Sequence, residues 1–229
     1  MQMRKLWIIG IFLAMALMLT ACGSTQSEEL AQTEETAAEE STAGTPAASK
    51  GSEDTLIVYF SAANTNDADA VTSATPMTDG ESSVGWIADI IAEHTGAEVV
   101  KLTPREDYPL EYDAVADQAK QEADSDARPA FAELEVDPAK YKNVFVGYPI
   151  WWYQLPMSMD SFFDAYDFSG VNLIPFNTHA GSGDGGTYDE IRELEPDAVV
   201  MDGLPVSGDE AGSEENRSEV TEWLQGLGM

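Results

Sequence analysis

Three large aromatic side chains stand in a row directly after a short apolar segment of the chain. Residues 144–148 form an apolar, β-branched and aromatic run that is typical of a buried strand, and Pro149 ends it. Trp151, Trp152 and Tyr153 follow almost at once, and the burial of a strand does not explain them. Because open α/β sheets bind ligands beyond the carboxyl ends of their strands, this cluster predicts contact with a flat ligand.

A second group of polar residues follows an earlier apolar run at 56–60. Ser61 and Asn64 come directly after that run, and Ser83 precedes a segment whose apolar residues recur at helical spacing. Hydroxyl groups and backbone amides that lead into the N-terminus of a helix suit a phosphate group. No Gly-Lys pair of the Walker type follows, so a nucleoside triphosphate is not expected.

A third loop, residues 178–186, follows an apolar run at 171–177 and is rich in glycine. Glycine lets the backbone approach a ligand closely, and the backbone N–H groups can then pair with ring carbonyls and nitrogens. A phosphate at one end, a flat ring in the middle and amides at the far edge together describe a site for flavin mononucleotide (FMN). The predicted FMN contacts are Ser61, Asn64, Ser83, Pro149, Ile150, Trp151, Trp152, Thr178, His179, Gly181, Ser182 and Gly183. No residue is assigned a catalytic role.

Strand-like and helix-like segments alternate through residues 55–229. This alternation predicts a parallel sheet with helices on both faces. Five strands in a chain of this length favour the doubly wound α/β fold with strand order 2-1-3-4-5. In that order strands one, three and four are neighbours, so the three loops would meet at one edge of the sheet.

The first 54 residues do not fit this pattern. Residues 1–21 contain a basic start and an unbroken apolar run at 6–18, which is shorter than the ~20 residues of a membrane span and typical of a secretory signal. The sequence that ends at Cys22 resembles the bacterial lipobox, and the resemblance implies lipidation of that cysteine. Residues 22–54 are acidic and lack aromatic residues, which predicts a disordered tether. These features predict a domain at 55–229 that is extracytoplasmic and anchored to the cell membrane by lipid.

The composition excludes several classes of function. The formal net charge of −31 argues against nucleic acid as a partner. With two histidines and one cysteine, a metal cluster of these ligands is not expected, and no intramolecular disulfide is possible. Neither Ser158 nor Ser161 lies in the Gly-x-Ser-x-Gly sequence of α/β-hydrolases.

The domain resembles the flavodoxins, specifically bacterial flavodoxin-like proteins whose third-strand loop reads Gly-Tyr-Pro-Ile-Trp-Trp, as residues 147–152 do. The likeness continues through Pro156-Met157, Pro175-Phe176, Thr178-His179, Gly181-Ser182-Gly183 and Gly203-Leu204. It implies noncovalent FMN and either electron transfer or flavin-dependent reduction of small acceptors such as quinones. The expected partners are therefore a redox protein or a small quinone-like acceptor.

The chain departs from the resemblance at the phosphate loop. The flavodoxin loop reads Ser-x-Thr/Ser-Gly-Asn-Thr and enters its helix at once, whereas an insertion at about 66–83 separates Ser61 from the helical pattern here. Two alternatives follow: Ser61 and Ser83 together hold the phosphate, or Asn64 does so. The same insertion supports a second hypothesis on function, namely a surface lipoprotein that kept the fold, lost FMN and serves as a binding module.

Overall fold

The computed structural model describes residues 53–62, 82–109, 111–208 and 211–229. The predicted signal sequence, Cys22, nearly all of the tether, Asn64 and most of the predicted insertion lie outside these residues. Ser83, at the end of the predicted insertion, is the first residue of a helix. Among the described residues, no helix is both long and apolar enough to cross a membrane.

The described residues form a parallel β-sheet with α-helices between its strands. The strands are β1 (Thr55–Phe60), β2 (Glu98–Leu102), β3 (Asn143–Pro149), β4 (Asn172–His179), β5 (Val199–Val200) and β6 (Leu204–Ser207). The helices are α1 (Ser83–Thr95), α2 (Tyr112–Asp124), α3 (Met157–Ala165), α4 (Thr187–Leu194) and α5 (Glu214–Gly226).

The strand order is β2-β1-β3-β4-β5, and β6 also pairs with β4. The predicted α/β class, the strand order and the five strand positions are therefore confirmed, and the fifth position is divided into two short strands. Leu173 pairs with Val200, whereas Phe176 pairs with Leu204, so the outer segment contains one extra residue. An extra residue of this kind is a β-bulge, and it accounts for the division.

Apolar residues on both faces of the sheet hold the two layers of helices. Leu56, Val58 and Phe60 of β1 face a cluster that includes α2, α3 and α4. Ile57 faces the opposite cluster, which includes α1 and α5. This alternation follows from the two-residue period of a strand, and the near-continuous apolar character of β1 follows from burial on both faces.

Candidate functional site

The loops that follow β3 and β4 begin side by side at the carboxyl edge of the sheet. Pro149, the last residue of β3, pairs with Thr178. The backbone N–H of Ile150 donates to the Thr178 carbonyl over 2.9 Å, which extends the ladder beyond the strand. Tyr59 near the end of β1 pairs with Gly147 of β3. The sheet therefore brings the ends of β1, β3 and β4 together, as the strand order requires.

A tight turn at residues 151–154, here called the aromatic turn, follows β3. Trp151 and Gln154 exchange two backbone hydrogen bonds of 3.2 and 3.0 Å. The two central residues have positive φ, 51° at Trp152 and 64° at Tyr153. This is the pattern of a type I′ turn, which Asn-Gly normally occupies. Left-handed backbone costs a residue with a Cβ roughly 1–2 kcal/mol, so this turn holds two bulky side chains in a strained conformation.

The two adjacent tryptophans of this segment have different environments. Trp151 is 2% exposed and makes edge-to-face contacts with Phe60 and Tyr108, at centroid distances of 5.3 and 5.1 Å. Trp152 is 50% exposed, and its Nε1 donates to the Ala116 carbonyl of α2 over 3.1 Å. Of the two predicted ring contacts, Trp152 thus presents an accessible face, whereas Trp151 supports the turn from inside the core.

The glycine-rich loop, residues 178–186, packs against the aromatic turn. Gly185 has a φ of 62°, and a Cβ on it would lie 3.3 Å from Ile150 Cγ2 and 3.4 Å from the backbone of Tyr153. A Cβ on Gly181 or Gly183 would meet no atom within 4 Å. Glycine is therefore required at residue 185 both by its φ and by a close approach, whereas residues 181 and 183 leave open space above their backbone.

Polar side chains fix this loop at both ends. Asn177 Nδ2 donates to the Gly183 carbonyl over 3.0 Å, and the Tyr188 hydroxyl donates to Asn177 Oδ1 over 2.6 Å. The Gly181 N–H donates to His179 Nδ1 over 3.0 Å. Sequence reasoning missed Asn177 and Tyr188, although an amide at the end of the apolar run of β4 was a usable signal. His179 holds the loop through Nδ1, and its Nε2 takes no part in this bond.

Of the predicted phosphate contacts near β1, the structure describes Ser61 and Ser83 but not Asn64. Ser61 is buried directly after β1, and Ser83 is fully buried in the first turn of α1. Ser82 is the N-cap of this helix, because its Oγ accepts the Gly85 N–H over 3.0 Å. Ser61 and Ser83 are therefore inward-facing residues at the two described ends of the first loop, and the choice between them and Asn64 stays a prediction.

Two buried polar atoms at the ends of β3 and β4 have no hydrogen-bond partner among the described residues. They are Nε1 of Trp151 and Oγ1 of Thr178, which is fully buried. A buried polar group without a partner destabilises a fold by roughly 1–3 kcal/mol. Such groups are uncommon in proteins, and these two lie at the predicted site.

A buried carboxyl lies behind the aromatic turn. Asp160 in α3 is 6% exposed, and burial raises its pKa to about 6, with the charge of Glu190 acting in the same direction. Arg128 opposes this rise, with Nη2 3.9 Å from Asp160 Oδ1. Glu190 Oε2 accepts the backbone N–H of Leu155 over 3.3 Å. Burial also raises the pKa of Glu190, because it disfavours the charged form of this carboxyl. The group that holds one end of the turn is therefore in an environment that disfavours its charge.

His179 lies in the glycine-rich loop and was predicted to contact FMN. Burial lowers its pKa, and the charge of Asp184 acts against this change. A neutral imidazole with an unprotonated Nδ1 is also what the hydrogen bond from Gly181 requires. The loop therefore offers a ligand the neutral imidazole of His179 and backbone amides, with the charge of Asp184 nearby.

Comparison with known proteins gives the family of the chain. A family model described as Flavodoxin matches residues 54–227. Three solved structures of the same fold are similar. A candidate flavoprotein from Bacteroides uniformis has a TM-score of 0.59 and 26% identity, covering 77% of this chain and 99% of that one. Another from Bacteroides eggerthii has a TM-score of 0.57 and 21% identity, covering 77% and 98%.

The third is a flavoprotein from Lactobacillus acidophilus crystallised in complex with FMN. It has a TM-score of 0.54 and 18% identity, covering 74% of this chain and 97% of that one. No curated protein sequence matches the chain significantly. The family match spans more than half of the chain, so this chain belongs to the flavodoxin family.

Proposed function

We propose that the chain binds FMN noncovalently at the edge formed by the ends of β1, β3 and β4, and that it transfers electrons to a protein or reduces small acceptors. Family membership and the FMN held by the Lactobacillus acidophilus protein of the same fold support this proposal. The observation that carries it is the buried Thr178 hydroxyl, which lacks a partner among the described residues and lies where the two loops begin.

The described residues fit the ring of the cofactor. Thr178 offers a hydroxyl, and the open backbone at Gly181 and Gly183 offers close approach for amide groups. Trp152 offers an accessible aromatic face beside them. For the phosphate, the first turn of α1 with Ser83 supplies the helix N-terminus that binds anions in many proteins.

When bound, FMN would supply the redox chemistry, and the protein would tune it. The contacts of Trp151 with Phe60 and Tyr108 close the core beneath the turn and keep water away from that side of the site. The net charge of −31 disfavours further negative charge at the site, as does exclusion of water. We therefore expect the reduction potential of the bound flavin to lie below that of free FMN.

We also propose that the domain acts outside the cell, held to the membrane by lipid on Cys22. The signal-like residues 1–21, the resemblance to the lipobox and the acidic residues 22–54 support this location. Replacement of Cys22 by Ser in the producing bacterium should release the protein from the membrane fraction, whereas retention in that fraction would contradict the anchor.

The FMN proposal is tested with a pair of threonine variants of the purified protein. Thr178→Val removes the unpartnered hydroxyl at nearly constant volume, and we expect it to weaken FMN binding by roughly tenfold without lowering the stability of the ligand-free protein. Thr55→Val is the matched control, because Thr55 is also buried but lies at the start of β1, at the edge of the sheet away from the site, where its hydroxyl accepts from Asn143.

Binding is followed by the visible spectrum of the protein and by quenching of FMN fluorescence. A colourless protein that leaves added FMN unquenched at micromolar concentration would reject the flavin function and favour the binding-module hypothesis. Equal loss of affinity in both variants would instead remove Thr178 from the site. With FMN bound, direct oxidation of NAD(P)H by a quinone distinguishes a reductase from a carrier, which needs a protein reductant.

A further inference from the structure

A cavity of about 390 Å³ lies between the segment that follows β2 and the segment that follows α2. This cavity, here called the arginine cavity, is lined by residues 104–106, Tyr108 and residues 127–130, with Gln118 and Glu122 of α2. Binding sites for small molecules have volumes of roughly 300–1,000 Å³, so the cavity is large enough for a small ring compound. Among its described lining residues, none was predicted to contact FMN. A ligand here would therefore be additional to the proposed cofactor.

Hydrogen bonds join the two segments that form the walls of the cavity. The backbone N–H of Arg105 donates to the Ala130 carbonyl over 2.8 Å, and that of Ala132 donates to the Thr103 carbonyl over 2.8 Å. The Nε of Arg105 donates to the Phe131 carbonyl over 3.1 Å. The walls are thus fixed to each other, and the Arg105 side chain is held at its Nε before any ligand binds.

The buried acidic group of the lining is already bonded within the protein. Tyr108 is 4% exposed, and its hydroxyl donates to Glu122 Oε2 over 2.8 Å. Gln118 Nε2 donates to Glu122 Oε1 over 2.8 Å. Because a tyrosine hydroxyl has one proton, the Ser158 hydroxyl, 3.1 Å away, donates to it in turn. Both oxygens of Glu122 therefore have donors, so this carboxylate does not need a cation from a ligand.

The two arginines of the lining differ in their partners. Arg128 Nε donates to Asp164 over 2.6 Å, and its Nη1 donates to Asp126 over 2.7 Å. Among the described residues Arg105 has no carboxylate partner, and its one side-chain hydrogen bond is that from Nε. Its two terminal nitrogens carry four N–H donors in one plane, and this fork matches the two oxygens of a carboxylate. The unfilled donors of the lining therefore favour an anion.

The charge of the lining also differs from that of the chain. Arg105 and Arg128 balance Glu106 and Glu122, whereas the whole chain has 42 acidic residues and only 11 lysines and arginines. Glu106 is exposed, so water and salt screen its repulsion of an anion. An anion thus meets a locally balanced lining on a chain whose net charge otherwise repels it.

The rest of the lining is largely apolar and contains flat rings. Besides Tyr108 it consists of Pro104, Ala127, Pro129 and Ala130. Proline and tyrosine rings offer flat contact surfaces, and burial of apolar area favours binding by roughly 25 cal/mol per Å². The apolar walls therefore suit a planar ring that carries the anionic group.

We propose that the arginine cavity binds a small aromatic carboxylate. The two carboxylate oxygens accept from the terminal nitrogens of Arg105, and the ring lies against the apolar lining. This site goes beyond the proposed function, because it needs neither flavin nor any of the predicted FMN contacts.

The test uses the full-length chain without flavin in a constant concentration of non-ionic detergent, and it follows the ligand by fluorine NMR. The probe is 4-fluorobenzoate, and 4-fluorobenzamide is its uncharged counterpart of nearly the same shape. Arg105→Gln removes the charged fork, whereas Arg105→Lys keeps the charge without the fork. Arg217→Gln is the matched control, because it removes the same charge from α5, on the opposite face of the sheet.

We expect the unmodified chain to bind 4-fluorobenzoate at least fivefold more tightly than 4-fluorobenzamide. Arg105→Gln should weaken binding of the carboxylate about tenfold and Arg105→Lys about threefold, since a bidentate charged pair is stronger than a single charged bond. Arg217→Gln should change it less than twofold. No binding of 4-fluorobenzoate at millimolar concentration, equal binding of the two probes, or equal effects of Arg105→Gln and Arg217→Gln would overturn the proposal.

Two further measurements test the cavity and the ring separately. Ala127→Phe places a ring in the cavity without changing its charge, and it should abolish binding while the far-UV circular dichroism stays unchanged. Acetate has no ring, so it should compete with 4-fluorobenzoate at least tenfold more weakly than benzoate does.

Binding retained in a folded Ala127→Phe variant would place the anion on the open surface around Arg105, and equal competition by acetate would reject an aromatic ligand. Either result overturns the proposal, and the Arg105 variants decide alone if Ala127→Phe unfolds. Flavin is absent from these samples, whereas FMN binding is followed by the visible spectrum. Failure of this site is therefore distinguishable from failure of the flavin site.

Discussion

The two loops that meet at the candidate site use the same backbone conformation with opposite residue types. In the glycine-rich loop, Gly183 and Gly185 have φ values of 63° and 62°. In the aromatic turn, Trp152 and Tyr153 have φ values of 51° and 64°. Left-handed backbone is unstrained for glycine, but it costs a residue with a side chain roughly 1–2 kcal/mol.

This difference separates what each loop contributes. The glycine-rich loop offers backbone, since a side chain would fill the space above Gly183 or contact the turn at Gly185. The aromatic turn offers side chains, and it keeps them although the conformation favours Asn-Gly. The loops also differ in their anchors, because the neutral pair Asn177 and Tyr188 holds the first, whereas the carboxyl of Glu190 holds the end of the second.

The largest effect is expected where the two loops touch. Gly185→Ala places a Cβ 3.3 Å from Ile150 Cγ2 and 3.4 Å from the Tyr153 backbone, in addition to the strain of a positive φ. We expect it to lower the free energy of unfolding by about 2–3 kcal/mol, as measured in urea. Gly183→Ala is the control, because its φ differs by only one degree and its Cβ would meet no atom within 4 Å.

We expect about 1–2 kcal/mol for the control variant, which carries the strain alone. The excess in Gly185→Ala measures the contact between the loops. Equal losses in the two variants would mean that the loops do not depend on each other, and the comparison would reduce to two independent turns.

The sequence predicted the sheet better than it predicted the turn. The apolar runs at β1, β3 and β4 and the alternation with helices were sufficient for the strand order, because burial on both faces leaves a strong pattern. The aromatic run of residues 151–153 was recognised, but the three side chains were treated as one cluster that contacts a flat ligand. The side chains have different environments because the turn directs Trp151 into the core and Trp152 toward α2. No local pattern encodes this, since Trp-Tyr is not a turn sequence.

The pairing of the two anchors, Asn177 and Tyr188, was also beyond sequence reasoning, although the position of Asn177 was a usable signal. Tyr188 and Asn177 are eleven residues apart, and they meet because α4 folds back over β4, where Gly203 leaves room for the tyrosine ring. A Cβ on Gly203 would lie 2.6 Å from that ring. Gly203 belonged to the segment that carried the family resemblance, but its physical role depends on a contact between distant residues.

The second effect concerns the buried carboxyl behind the aromatic turn, Asp160, which lies near the charge of the anchor Glu190. Asp160 is charged more readily in the unfolded chain than in the fold, where its pKa is about 6 instead of the usual 3.8. A raised carboxyl pKa stabilises the fold below this window, and the contribution is lost as pH rises from about 4 to above 6. Asp160→Asn keeps the side chain neutral, so its stability relative to the unmodified protein should increase across the same range by roughly 2 kcal/mol.

Urea unfolding of both proteins at pH 4.5, 6 and 7.5 measures this difference. Asp164→Asn is the control, because Asp164 also bonds Arg128 but is exposed. A difference between Asp160→Asn and the unmodified protein that is constant with pH would show that this carboxyl titrates normally. The buried carboxyl behind the aromatic turn would then make no pH-dependent contribution to stability, and in this respect the surroundings of the two loops would not differ.

The smallest effect concerns the strain in the aromatic turn itself. Tyr153→Gly replaces an exposed ring with the residue that the left-handed conformation prefers, and glycine gains additional freedom in the unfolded chain. Relief of strain exceeds that loss, so we expect the free energy of unfolding to rise by about 0.5–1 kcal/mol. Tyr153→Ala keeps the strain and should show no gain in the same urea measurement. If alanine and glycine stabilise equally, the ring and not the backbone is the source, and the two loops would differ in residue type without differing in strain.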